Sequence, residues 1–86
     1  MKKVYWVEMQ ERGGTTSFDM LQGVFATEKE AIKEATMLWN HLTERERKAH
    51  TVSVCRFESD NAYNTLLGAW NEAMEEGCWD EILTFE

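Results

Sequence analysis

The stretch Lys3–Gln10 carries apolar residues at both odd and even positions. Val4 and Trp6 alternate with Tyr5, Val7 and Met9, and Glu8 is the polar exception on the Val4 side. In an extended strand successive side chains point to opposite faces. A strand built from these residues is therefore apolar front and back, and both faces need cover. Gly13-Gly14 follows, a pair able to take the positive φ angles of a tight hairpin turn. Thr15 to Ala26 then resumes a β-rich composition. Its alternation slips at Leu21-Gln22-Gly23, which predicts a bulge or bend.

Thr27-Glu28-Lys29-Glu30 is a capping box, in which a threonine hydroxyl and a glutamate three residues later satisfy each other's backbone N–H groups. Behind it Ala31, Ile32, Ala35, Leu38, Trp39 and Leu42 recur at helical spacing, predicting a helix over 28–42 with one apolar stripe. Thr43-Glu44-Arg45-Glu46 repeats the capping pattern and predicts a short charged turn of helix to about Lys48. Residues 51–58 alternate as a strand, with Val52 and Val54 on one side and Ser53, Cys55 and Phe57 on the other. Ser59-Asp60-Asn61 reads as a cluster of N-cap residues. Ala62, Tyr63, Leu66, Leu67, Trp70, Ala73 and Met74 form a second stripe, and Gly77 stands where a left-handed C-terminal cap belongs. Cys78 to Glu86 predicts a last strand.

The order is β-β-α-β-α-β in a single domain over 1–86, uninterrupted by proline, linker or repeat. The expected fold is α+β, a two-layer α/β sandwich. About four strands form its sheet, and right-handed crossovers favour both helices on one face.

Charge narrows the choice of partners. The first 43 residues hold six acidic and five basic side chains, and the last 43 hold ten acidic and four basic. No Lys or Arg follows Arg56. A net charge of −7 repels phosphate backbones and anionic lipid, which argues against direct nucleic-acid or membrane binding. The apolar run after Lys2-Lys3 is too short for a signal peptide, and no stretch reaches the length of a membrane span. With two cysteines, Cys55 and Cys78, too few for a disulfide framework, the expected compartment is cytoplasmic.

The sequence holds no recognisable catalytic, metal-binding or phosphate-binding motif. His41 and His50 have no nucleophile or orienting carboxylate in a recognisable setting, so no catalytic residue is assigned and the chain is not expected to be an enzyme. Cys55, Cys78, His41 and His50 lack metal-knuckle spacing, and the glycine pair has no phosphate-loop Lys or Ser/Thr in register, so neither metal nor cofactor is expected.

Two features suggest an interaction role. With both helices on one face, the other face of the sheet would be left bare. Tyr5, Val7, Met9, Cys55 and Phe57 are the candidates to line it as an interaction face. The second feature is the acidic C-terminal third. Glu75 and Glu76 close the second helix at the negative end of its dipole, and with Glu72, Asp80 and Glu81 they form a candidate acidic face.

The words Phe25-Ala26-Thr27-Glu28-Lys29-Glu30-Ala31, Trp39-Asn40-His41-Leu42-Thr43-Glu44-Arg45-Glu46-Arg47-Lys48 and Val52-Ser53-Val54 resemble small bacterial proteins from genomes rich in mobile elements. The resemblance covers about residues 1–58. It implies a fold and an accessory or phage-linked setting, and it implies no activity. The functional expectation is a non-enzymatic module that binds a protein partner or a second copy of itself. The alternative is an acidic inhibitor, a nucleic-acid mimic occupying the basic groove of a host-defence or mobile-element enzyme.

Overall fold

The computed structural model describes residues 2–13, 20–61 and 63–86. Seven elements follow in order: β1 (Lys3–Glu11), β2 (Met20–Phe25), α1 (Glu28–His41), α2 (Glu44–Ala49), β3 (His50–Glu58), α3 (Leu66–Glu76) and β4 (Asp80–Phe85). The four strands form one sheet in the order β2-β1-β3-β4, with every neighbouring pair antiparallel. The α+β class, the four strands and the β-β-α-β-α-β order are as the residue pattern predicts, with α2 as the short charged turn.

Local signals become local structure. The Thr27 hydroxyl accepts from the Glu30 backbone N–H at 3.2 Å and opens α1. At α2 the box is complete: Thr43 Oγ1 accepts from the Glu46 N–H, and Glu46 accepts from the Thr43 N–H at 2.9 Å. Those bonds to Thr43 hold the Glu46 carboxyl below the usual carboxylate range. Gly77 takes φ +65° and donates its N–H to the Ala73 carbonyl, ending α3 in the left-handed conformation that glycine adopts without steric cost. The slip at Leu21-Gln22-Gly23 is a bulge. Val7 pairs with Gly23 and Glu8 with Leu21, so Gln22 is the extra residue. Of the hairpin turn, Gly13 has φ +60°; Gly14 and the first part of the predicted second strand, 15–19, lie outside the described residues.

The second long helix starts later than the pattern predicts. Its N-cap is Thr65, whose hydroxyl accepts from the Gly68 N–H at 3.0 Å. Ser59 and Asn61 serve a turn instead, with the Asn61 N–H donating to Ser59 Oγ at 2.9 Å. Such side chains satisfy a turn as readily as a helix start.

The two long helices lie on opposite faces of the sheet, so the two-layer arrangement with both helices on one face is corrected to three layers. Val4, Trp6, Cys55 and Phe57 pack beneath Ala69 and Ala73 of α3. Tyr5, Val7, Val52 and Val54 pack beneath Ala31 and Ala35 of α1. The handedness rule explains why only one helix was constrained. β2 and β3 both run antiparallel to β1 and hence parallel to each other, so α1 makes a crossover to which the rule applies. β3 and β4 are antiparallel neighbours, and the rule leaves α3 free to take the other face. Burial of both faces also accounts for the apolar character of β1 front and back.

Candidate interaction surface

The five residues expected to line one bare face are divided between the two covered ones. In the β1–β3 register Val4 pairs with Phe57, Trp6 with Cys55 and Val7 with Val54. Tyr5 and Val7 therefore belong to the α1 side, where Met9 packs with them, and Cys55 and Phe57 to the α3 side. Because side chains alternate, assigning Cys55 and Phe57 to the Tyr5 face amounts to a one-residue offset. These residues form core and present no shared surface.

The acidic residues are divided too. Glu75 and Glu76 are exposed at the end of α3. Asp80 pairs with Arg56 at 3.2 Å, and Glu81 accepts from the Thr84 hydroxyl. Glu72 is half-buried and accepts from Asn61 Nδ2 at 3.2 Å. Hydrogen bonding to Ser59, then Tyr63, holds the Glu72 carboxyl below the usual carboxylate range, and the same partnership raises the Tyr63 phenol. Glu72 thus ties α3 to the turn that Ser59 and Asn61 make. Its lowered pKa contributes stability that is present above the unfolded value near 4.5 and lost as pH falls through the folded value. Glu72→Gln should therefore be less stable than the parent chain at neutral pH. The gap in urea midpoint should close as pH drops through the acid range, and a gap that stays constant there would remove Glu72 from this role.

On the α3 face the sheet also buries a carboxylate. Glu8 is 4% exposed and accepts from the Trp6 indole N–H and, at 3.2 Å, from Gln10 Nε2. Both carboxylate oxygens have a donor, which is what an interior ionisable group requires. Beside it Ser53, also buried, meets Thr84 Oγ1 at 3.3 Å. The two histidines are each tied to the backbone one turn earlier: His41 Nδ1 to the Met37 carbonyl at 2.7 Å and His50 Nδ1 to the Glu46 carbonyl at 3.1 Å. Among the described residues no three metal-ligating side chains converge.

With both faces covered, the described residues still offer a partner the two sheet edges and the end of the sheet at α2. The edges differ in chemistry. β4 begins with Asp80-Glu81 and is followed by Glu86, so acids stand at both ends. Charges of this kind guard an edge against pairing. β2 reads Met-Leu-Gln-Gly-Val-Phe and carries no charge. Gly23 in its middle lies beneath the Phe25 ring, where a Cβ would come within 2.8 Å of Cζ, so the aromatic covers the backbone that glycine leaves bare. Leu21, on the same strand, is 38% exposed.

At the α2 end, an open groove of about 400 Å³ is lined by Arg12, Trp39, Glu44, Arg47, Lys48 and Glu86. Arg12 reaches it from the end of β1, donating from Nε to the Arg47 carbonyl at 3.0 Å and from Nη2 to the Glu86 carbonyl oxygen at 2.8 Å. Arg47 donates from Nε to the Trp39 carbonyl at 3.0 Å, and its guanidinium carbon stands 5.3 Å from the Trp39 ring centroid. Trp39 in turn stacks on Phe85, with centroids 5.8 Å apart. In the sequence these cations registered only as part of a charged turn, because Arg12 and Glu86 join them from the far ends of the chain.

Compared with known proteins, the chain matches no family model and no solved structure. It is 32% identical over 82 residues to Reticulocyte-binding protein 1 of Plasmodium vivax (strain Belem). The match takes in 95% of this chain and 3% of that protein, so the chain spans a small fraction of this relative's length. Among the described residues no helix is long and apolar enough to cross a membrane.

Proposed function

We propose that this chain is a non-enzymatic protein-interaction module that pairs with a second copy of itself along the β2 edge. The observation that carries the reading is the contrast between the two edge strands, β4 holding Asp80 and Glu81 and β2 holding no charged side chain. A molecule of net charge −7 repels its own copies, and a strand with no charged side chain adds nothing to that repulsion. The hydropathy of β2 is also symmetric about its centre. Two-fold antiparallel pairing sets Leu21 opposite Val24 and Gln22 opposite Gly23, and it extends the sheet to eight strands. Similarity to a segment of a protein named for binding reticulocytes is compatible with an interaction role but transfers no partner, because the segment is 3% of that protein.

Sedimentation velocity across the micromolar to millimolar range tests the proposal. The parent chain should shift from monomer to dimer with concentration. Leu21→Lys, a charge on an exposed strand position, should stay monomeric with an unchanged circular dichroism spectrum. A parent chain that remains monomeric throughout, or a Leu21→Lys variant that dimerises equally well, rules out the β2 edge. The alternative of an acidic inhibitor draws on fewer groups than the sequence suggested, because Glu72 and Asp80 have partners within the chain and Glu81 accepts from Thr84.

A further inference from the structure

We infer that the groove at α2 is a binding site for a carboxylate carried on an apolar or aromatic group. The groove shares no lining residue with the β2 edge.

Arg47 is held in place but not saturated. Its Nε is committed to the Trp39 carbonyl and its plane is set near the Trp39 ring, while neither terminal nitrogen meets an acceptor among the described residues. Arg12 is anchored in the same way. Its backbone N–H donates to the Ala49 carbonyl, Nε to the Arg47 carbonyl and Nη2 to the Glu86 carbonyl oxygen, leaving Nη1 without a described partner. A guanidinium usually spends side-chain entropy when it takes hold of an anion, and here the fork is oriented in advance. Two parallel N–H groups on a fixed plane match the two in-plane oxygens of a carboxylate.

Charge selects among oxyanions. Arg12, Arg47 and Lys48 line the groove together with Glu44 and Glu86. Lys48 is further engaged by Glu44 at 3.8 Å on an exposed helix face. Two acids beside the cations repel a phosphate dianion more than a monoanion. The remaining wall is apolar, provided by Trp39 and the aliphatic stems of the arginines. A volume of about 400 Å³ lies at the small end of the range for organic ligands. A carboxylate with an attached ring can set its oxygens on the guanidinium fork and its ring against the arginine stems and the edge of Trp39.

The site can be read by nitrogen-edited NMR of the full chain, following the Arg12 and Arg47 Nε–H and Trp39 indole signals. Benzoate, benzamide and inorganic phosphate are titrated at constant ionic strength. Benzoate should shift those three signals saturably. Benzamide, which keeps the ring and loses the charge, should bind about tenfold or more weakly, the loss of roughly one charge-assisted hydrogen bond. Arg47→Lys keeps the charge but not the fork and should weaken benzoate by a similar factor. Lys48→Gln lies on an exposed helix face and cannot disturb the core. It should weaken benzoate about two- to threefold, as expected for a partly screened charge. Benzamide binding as tightly as benzoate, shifts centred elsewhere, or full benzoate affinity in both variants would overturn the site. Phosphate binding more tightly than benzoate would overturn the assignment to a carboxylate.

Discussion

Trp6→Ala leaves most of the chain unfolded in urea-free buffer at room temperature. Trp6 is the largest fully buried side chain, it meets Trp79 edge-on with centroids 5.6 Å apart, and its indole N–H donates to Glu8. Truncating a core Trp costs about 3–5 kcal/mol through lost transfer energy and the cavity left behind. The same change removes a donor from a carboxylate that is 4% exposed, a further cost of about 1–3 kcal/mol. A chain of 86 residues has in total about 4–13 kcal/mol to lose. Loss of near-ultraviolet circular dichroism and a collapsed urea transition are the readouts. Trp6→Phe keeps a ring beside Trp79 and loses the donor with only part of the buried volume. That variant should fold, with a midpoint between those of the parent chain and Trp6→Ala. A Trp6→Ala protein with the parent's urea midpoint would mean that the Val4–Trp6 face is not core.

Features settled within a few residues were legible in the sequence. Thr27 and Thr43 cap their helices, Gly77 closes α3 and Leu21-Gln22-Gly23 holds a bulge, since each depends on bonds to near neighbours. The exception is informative. Ser59-Asp60-Asn61 carries the composition of a helix start, yet Thr65 won the cap and the Ser59–Asn61 pair took up Glu72 instead. What was not legible depends on partners far along the chain. The β1–β3 register decides whether Cys55 shares a face with Trp6 or with Tyr5, and alternation alone allows either. The groove needs Arg12 to meet the Glu86 carbonyl oxygen across 74 residues of sequence. The apolar front and back of β1 was read correctly as a demand for cover. The cover turned out to be the chain's own second long helix, because nothing in an antiparallel β3–β4 connection obliges α3 to join α1.

Placement of the helices on opposite faces is testable by whether two core substitutions add. Ala35 of α1 and Ala73 of α3 are fully buried, each at a point where a small side chain lets the helix backbone approach the sheet. Ala35→Leu and Ala73→Leu should each destabilise by about 1–3 kcal/mol, since three extra carbons in a close-packed interior force the helix outward. With the sheet between them the two sites share no neighbour. The double variant should then equal the sum of the single ones within about 0.5 kcal/mol. Helices side by side on one face would compete for the same space, so the first displacement would change the cost of the second and the cycle would show coupling of about 0.5–3 kcal/mol. Urea titrations of the three variants and the parent supply the four free energies, and m values held in common show that the unfolded ensemble has not changed. Additivity fits a sheet covered independently on its two sides. Coupling would return α3 to the face of α1 and reopen the other side of β1 as a docking surface.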